Sequence, residues 1–143
     1  QGLVSSADVL VFSAAVADFR PVDVEGQKVK RADTGDSLTV PLVANPDVAA
    51  GTVGLRKPGS VAIGFALETN DLIDNARKKL EPKGLDLIVA NDATEEGAGF
   101  EVGTNRVTFL SRDGAPEALP LMSKESVAEE LMERVMDLLG GGA

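Results

Sequence analysis

The fold is decided by one stretch of the chain, residues 60–92, which reads SVAIGFALETNDLIDNARKKLEPKGLDLIVAND. It starts with a short apolar run at 60–66 and closes with a second one at 85–90. Short, uninterrupted apolar runs of this length are typical of buried strands in a parallel sheet. The two runs predict two neighbouring parallel strands, joined by the segment between them.

The segment between the two runs has the spacing of an amphipathic helix. Its apolar residues recur three or four positions apart, which predicts one buried helix face; they are Leu72, Ile73, Ala76 and Leu80. Thr69 or Asn70 is the predicted N-cap, and Gly84 follows the predicted end near Lys83, where glycine commonly stops a helix. Residues 60–92 therefore predict a strand–helix–strand unit.

The rest of the chain extends this pattern. Residues 8–13 predict another buried strand and residues 38–43 a looser one, while Asn45-Pro-Asp47 has the capping signals of a helix start. Further on, alternating apolar residues in 100–102 and 106–110 predict an antiparallel hairpin.

The last predicted element is a helix from near Ser123 to the glycines at 140–142. Its apolar face is predicted to consist of Val127, Leu131, Val135 and Leu138. The whole pattern indicates an α/β, Rossmann-like three-layer sandwich, with a mostly parallel sheet and an antiparallel hairpin extension. With only about three parallel strands in the pattern, we expect 1–143 to be a single domain that is the C-terminal portion of a larger one.

Composition excludes several kinds of chemistry. The 143 residues include neither Cys nor His, so thiol nucleophiles, imidazole bases and Cys or His metal sites are impossible within this chain. The net charge of −9 disfavours nucleic acid and anionic membrane as partners. No apolar run approaches the ~20 residues that span a bilayer, and the expected location is the cytoplasm.

Two basic clusters stand out in this acidic chain, at 28–31 (KVKR) and at 77–83 (RKKLEPK). Solvated charge on a loop and a helix face is one interpretation, and a site for a small polyanion is the other. Small or polar residues also follow three predicted strands, at 14–21, 64–69 and 90–92. The carboxyl edge of an open α/β sheet is where ligands bind, so these strand ends favour a binding site. Neither dinucleotide-binding glycines nor a P-loop occurs, which argues against an unrelated oxidoreductase.

Taken in order, these motifs resemble the bacterial phosphopantothenoylcysteine synthetase domain of coenzyme A biosynthesis. The matching strings cover nearly the whole chain, and they are AAVADFRP, KVKR, NPDV, GFALET, the Lys-rich helix end, IVAND and a following GF. KVKR corresponds to a K-x-K-K flap, with Arg31 in place of the last lysine. The resemblance implies a ligase that uses CTP to join 4′-phosphopantothenate to cysteine through an acyl-cytidylate.

The resemblance also implies roles for individual residues. Lys28 would be the catalytic flap lysine, and Ala14 would lie near the reacting groups. Contacts to CTP are implied for Ala14, Asp18, Lys28, Pro46, Asp47, Val48, Phe65, Lys79 and Lys83. Lys30, Arg31 and Asn91 are candidate contacts to phosphate or substrate. Mg²⁺ would be held mainly by the phosphates, without a predicted set of protein ligands.

Three further expectations come from the resemblance. The protein would be a homodimer, for which we expect the hairpin at 100–110 to supply the contact through a free edge. A flavin decarboxylase domain with FMN would be fused elsewhere, outside this chain. The family's first half, with its glycine-rich turn and a catalytic Asn, is not among the matched strings. A catalytically incomplete nucleotide-binding or dimerisation module of the same fold therefore remains the alternative to an active ligase.

Overall fold

The computed structural model describes residues 2–68, 71–92 and 103–141. The chain divides into two compact units: the sheet unit, residues 1–13 and 48–143, and the ribbon unit, residues 14–47. In chain order the elements are β1 (Val9–Phe12), β2 (Phe19–Pro21), α1 (Arg31–Thr34), β3 (Leu42–Ala44), α2 (Val48–Gly51), a 3-10 turn (Val53–Leu55), β4 (Val61–Glu68), α3 (Leu72–Leu80), β5 (Leu87–Asp92), β6 (Thr104–Asn105), β7 (Val107–Ser111), β8 (Glu117–Ala118), β9 (Met122–Ser123) and α4 (Lys124–Gly140).

The sheet unit is built on a mixed sheet whose strand order, within the described residues, is β1-β4-β5-β7-β8. Strands β1, β4 and β5 are parallel, with Val9 opposite Val61 and Ile63 opposite Leu87. Strand β7 joins antiparallel beside β5, and β8 joins antiparallel beside β7. The predicted α/β, Rossmann-like fold with a parallel core is confirmed.

Each face of this sheet carries its own apolar core. On one face, Ile63 and Val89 pack with Val127, Leu131 and Val135 of α4. On the other face, the completely buried Ala76 and Leu80 of α3 pack with residues that include Ile88 and Leu110. Alternate residues of each strand thus contribute to opposite cores, which gives the three layers. Ser123 is the N-cap of α4 as predicted, and its hydroxyl accepts a hydrogen bond from the Ser126 amide at 3.0 Å.

The ribbon unit is a different kind of structure. Strands β2 and β3 pair antiparallel, with Phe19 opposite Ala44, and they form their own two-stranded sheet. The predicted strand at 38–43 is therefore wrong in its bounds, since pairing begins only at Leu42. Residues 38–41 form no strand because the partner β2 is only three residues long.

Two predicted helix boundaries also differ. The helix after Asn45-Pro-Asp47 is the single turn α2, and Asn45 bonds to residues of the ribbon unit instead of capping it. Helix α3 ends at Leu80, not near Lys83, and Gly84 closes the following turn with a φ of +54°. That left-handed value is one that glycine adopts without steric cost. The predicted caps Thr69 and Asn70 lie outside the described residues.

The predicted hairpin is only partly described. Its first arm, residues 100–102, lies outside the described residues, and its second arm is β7. Strand β7 itself pairs with β5 on one side and with β8 on the other, and the free edge expected for the first arm stays a prediction. None of the helices in 2–68, 71–92 and 103–141 combines the length and apolar character that crossing a bilayer requires.

Candidate functional site

The ribbon unit carries the predicted flap. Lys28 is exposed and lies between β2 and α1 in no regular element, while Lys30 is the N-cap residue of α1. Arg31, the departure from the flap pattern, pairs with Asp36, and both side chains are more than four-fifths exposed. Ala14 is also exposed. The basic cluster is thus a set of solvent-facing cations on a chain segment with little regular structure.

Asn45 organises the other predicted residues of the ribbon unit. Its backbone amide donates to the Asp18 carbonyl at 2.8 Å, and its side-chain amide donates to the Ala17 carbonyl at 2.7 Å. Arg20 donates to the Asn45 side-chain oxygen at 2.9 Å. These bonds bring Asp18 next to the Asn45-Pro46-Asp47 motif, so two strings that are far apart in sequence form one local arrangement.

In the sheet unit, a second group of predicted residues comes together around the end of α3. Lys79 is in the last turn of this helix, and Lys83 lies in the turn beyond it. The Lys83 amide still donates to the Lys79 carbonyl at 3.4 Å, so the two lysines keep the spacing of one helical turn. Both side chains are partly buried. Two ammonium groups at this spacing can interact with a single polyphosphate.

Arg56 joins this turn to α2, which begins at the predicted contact Val48. Its guanidinium donates to the Lys83 carbonyl at 2.9 Å and to the Ala49 carbonyl at 2.8 Å. Burial is the main cause that lowers the pKa of Arg56, and the carboxylate of Asp86 acts in the opposite direction. The guanidinium stays charged, because even a lowered arginine pKa lies far above neutral pH.

Phe65 and Asn91 occupy a different face. By strand alternation they lie with Ile63 and Val89 on the α4 side of the sheet, whereas α3 covers the opposite side. Phe65 is 40% exposed, which is unusual for a phenylalanine in an inner strand of a sheet. The structure therefore brings Val48, Lys79 and Lys83 together but places Phe65 on the other face.

Two buried amide oxygens distinguish the α4 face. Oδ1 of Asn91 and Oδ1 of Asn105 are buried and accept no hydrogen bond from any residue that the structure describes. Buried polar atoms in native proteins are nearly always paired. Asn91 was predicted as a candidate contact at the end of its strand, and Asn105 was not predicted.

The sequence also failed to identify Arg56. Arg56 is a single arginine before Lys57-Pro58-Gly59, and no periodicity or motif marks it in the sequence. Only the folded backbone brings its hydrogen-bond acceptors within reach. Asn105 had a weak signal, since it is a polar residue next to a buried strand, but its position suited a turn equally well.

No group of three or more acidic side chains close enough to hold a metal ion occurs in the parts of the chain that the structure describes. A Mg²⁺ ion generally keeps several waters and binds through substrate phosphates with one or two carboxylates.

Comparison with known proteins gives a consistent result. The family model described as the DNA/pantothenate metabolism flavoprotein C-terminal domain matches residues 1–139. The chain is 40% identical over 136 residues to the coenzyme A biosynthesis bifunctional protein CoaBC of Vibrio vulnificus, covering 95% of this chain and 34% of that protein. It is 42% identical over 133 residues to CoaBC of Bacillus subtilis, covering 93% of this chain and 32% of that protein.

A solved structure agrees with these relatives. The crystal structure of the C-terminal domain of CoaBC superposes with a TM-score of 0.70 at 30% identity, covering 94% of this chain and 56% of that one. The chain thus spans about a third of the length of the curated relatives and little more than half of the solved domain.

Proposed function

This chain belongs to the family of the DNA/pantothenate metabolism flavoprotein C-terminal domain, and we propose that it takes part in the CTP-dependent ligation of 4′-phosphopantothenate to cysteine in coenzyme A biosynthesis. The observation that carries the proposal is the contact of α2 with the end of α3 through Arg56. This contact joins Ala49, the residue directly after NPDV, to the turn that carries Lys83, and NPDV and the Lys-rich helix end are two of the strings through which the sequence resembles a nucleotide-dependent synthetase.

The proposed reaction has two steps. The carboxylate of 4′-phosphopantothenate attacks the α-phosphorus of CTP, which forms the acyl-cytidylate and expels pyrophosphate. The amine of cysteine then attacks the acyl carbon, loses a proton and expels CMP, leaving the amide. Neither step requires a thiol or imidazole of the protein, which agrees with the absence of Cys and His. Such transfers are catalysed mainly by positioning and by neutralising charge.

The charged side chains have the chemistry that these steps need. Lys79 and Lys83 would hold the triphosphate, and Lys28 would neutralise charge that develops on the departing pyrophosphate. Asp18, Pro46, Asp47 and Val48 would contact the nucleotide. The resemblance also assigns Phe65 to its base or ribose, although this side chain lies on the α4 face of the sheet, opposite the face that α3 covers. Ala14 would lie near the reacting groups, with Lys30, Arg31 and Asn91 as additional contacts to phosphate or substrate. A bound Mg²⁺ would supply further neutralisation of the phosphate charge.

The proposal has three further parts. The active protein is a homodimer, it works in the cytoplasm, and it is fused to a flavin decarboxylase domain in the complete polypeptide. The names of the two bifunctional relatives and the share of their length that this chain covers support the fusion.

Calorimetric titration with CTP and with ATP, both with Mg²⁺, tests the proposal. We expect CTP to bind more tightly than ATP, and Lys83→Gln to weaken CTP binding on the order of tenfold, as the loss of a charge-assisted contact does. Lys78→Gln is the matched control, since Lys78 is exposed in the last turn of α3, just before the turn that carries Lys83, and has no proposed contact. Equal affinities for the two nucleotides would contradict the proposal. CTP binding without product formation would favour the binding module over the ligase.

A further inference from the structure

We propose that Arg56 is a positioning residue of the nucleotide site, which fixes the backbone of Lys83 against α2 and thereby sets where the Lys83 ammonium is presented to the triphosphate. The inference rests on the proposed function, since it concerns a nucleotide that the lysines bind. Arg56 itself is not proposed to touch that nucleotide.

The guanidinium of Arg56 makes bonds to two separate chain segments. On one side it donates to the carbonyls of Lys83, at 2.9 Å, and of Gly84. On the other side it donates to the Ala49 carbonyl at 2.8 Å and to the Thr52 hydroxyl oxygen, which lies 3.2 Å from Nε and 3.0 Å from Nη2. Nε, Nη1 and Nη2 each face an acceptor, and the two Nη2 hydrogens are shared among Ala49, Thr52 and Lys83. The single nitrogen of a lysine ammonium cannot reproduce this planar arrangement.

The acceptors are themselves held in place. The Thr52 hydroxyl donates to the Ala49 carbonyl at 2.7 Å, which leaves its oxygen lone pairs for Arg56. The Phe12 ring, at the end of β1, lies beneath the guanidinium with its centroid 5.4 Å from Cζ. A cation over an aromatic face is attracted by the ring quadrupole. The Phe12 ring thus stacks against the Arg56 guanidinium, while the guanidinium bridges the two segments.

Lys83 needs such a support because it lies beyond the regular part of α3. The helix ends at Leu80, and the turn beyond it is closed by three main-chain bonds, from the amides of Lys83 to Lys79 at 3.4 Å, of Gly84 to Glu81 at 2.9 Å and of Leu85 to Leu80 at 2.8 Å. None of these bonds uses the carbonyls of Lys83 or Gly84. Arg56 supplies partners for the Lys83 and Gly84 carbonyls, so it fixes the backbone from which the Lys83 side chain projects relative to α2.

Space around Gly84 supports the same interpretation. A Cβ built on Gly84 would lie 3.1 Å from Nη1 of Arg56 and 3.2 Å from Cγ2 of Val53. The turn therefore accommodates the arginine closely, and a side chain at Gly84 would crowd both Arg56 and Val53.

The test compares three variants of the intact protein, Arg56→Gln, Arg56→Lys and Arg112→Gln. Arg112 is the matched control because its Nε donates to the Leu85 carbonyl at 2.9 Å, two residues beyond Lys83, and its guanidinium pairs with Asp86. Affinities for CTP with Mg²⁺ and for cytidine are measured by calorimetry, and stability is measured by urea unfolding. We expect Arg56→Gln to weaken CTP binding about tenfold and to leave cytidine binding unchanged.

The two remaining variants separate positioning from charge and from stability. Arg56→Lys keeps the charge but loses the planar set of guanidinium donors, so we expect CTP binding to remain impaired. Arg112→Gln is expected to lower stability without changing the ratio of CTP to cytidine affinity. Equal losses of CTP and cytidine affinity in Arg56→Gln, or full CTP affinity in Arg56→Lys, would overturn the inference.

Hydrogen exchange distinguishes failure of this inference from failure of the proposed function. If the unmodified protein binds no CTP, the proposed function fails, and the role of Arg56 at that site fails with it. If it binds CTP, Arg56→Gln should also speed exchange of the Gly84 and Leu85 amides relative to Arg112→Gln. Unchanged exchange at these amides would overturn the inference while the proposed function stands.

Discussion

Lys28 is exposed and has a proposed role in catalysis. One substitution can therefore separate its effect on turnover from its effect on stability. Lys28 lies in no regular element of the ribbon unit. We expect Lys28→Gln to change the free energy of unfolding by no more than about 0.5 kcal/mol, as exposed substitutions usually do. Turnover should fall by a factor of at least 10², because a group that neutralises charge in a transition state contributes several kcal/mol to the barrier.

The measurement is kcat with CTP, 4′-phosphopantothenate and cysteine, made on the complete polypeptide alongside urea unfolding. Lys78→Gln serves as the control for loss of one surface charge. Normal turnover in Lys28→Gln would remove Lys28 from the mechanism.

Individual residues also show where prediction from sequence stops. Lys79 and Lys83 could be recognised as a pair from their spacing alone, because a helix places residues four apart on one side. Asn45 was predicted to cap a helix, yet its side chain binds Ala17 and Arg20, which are more than twenty residues away. Capping is a local preference, and a better set of partners from β2 overrides it. Nothing local could predict those partners.

At the scale of elements, one ion pair connects β8 to α4. Arg134 donates through Nη2 to Glu117 at 2.5 Å and through Nε at 3.2 Å, which is a two-point contact. This bonding is the main cause that lowers the pKa of Glu117 below its ordinary value of 4.5. A carboxylate with a lowered pKa stabilises the folded state above its ordinary pKa, and that contribution is lost as the pH falls through the lowered value.

We therefore expect Glu117→Gln to lower the free energy of unfolding at pH 7, and the difference from the unmodified protein to vanish well below pH 4.5. The Glu117 side chain is 46% exposed, so solvent screening limits the effect to about 1 kcal/mol or less. Urea unfolding across this pH range measures it. Glu133→Gln is the control, because Glu133 contacts the same arginine at 3.6 Å and is 73% exposed. If the difference in the free energy of unfolding were the same at all pH values, it would not come from the lowered pKa of Glu117.

Long elements were predictable because they repeat a pattern several times. Helix α4 presents Val127, Leu131 and Val135 to the core at helical spacing, and all three are buried as predicted. Leu138 of the same predicted face is 38% exposed, since it lies in the last turn of the helix. Strands such as β6, β8 and β9 have two residues each, too few to show alternation. Their pairing depends on tertiary contacts that no local pattern encodes.

The whole molecule presents an unpartnered surface in a place that differs from the predicted one. Strand β7 is paired on both sides, and the other arm of the predicted hairpin, 100–102, lies outside the described residues. The ribbon unit instead exposes apolar side chains on both of its strands, among them Phe19 at 59% and Leu42 at 58%. Within the described residues β2 and β3 pair only with each other. A two-stranded ribbon is marginal by itself, and unpaired edges favour association.

We therefore predict that the protein is a homodimer in solution and that the ribbon unit, not β7, supplies the contact. A symmetric contact would cover the exposed side chains of both copies at once, which is how most homodimers close. Light scattering over a dilution series should give twice the chain mass of 14.8 kDa, and Leu42→Lys should shift the dissociation to higher concentration. Met136→Lys is the control, since Met136 is 64% exposed on α4 and outside the ribbon unit. A mass of one chain at high concentration would refute the dimer, and dissociation by Met136→Lys alone would relocate the contact to α4.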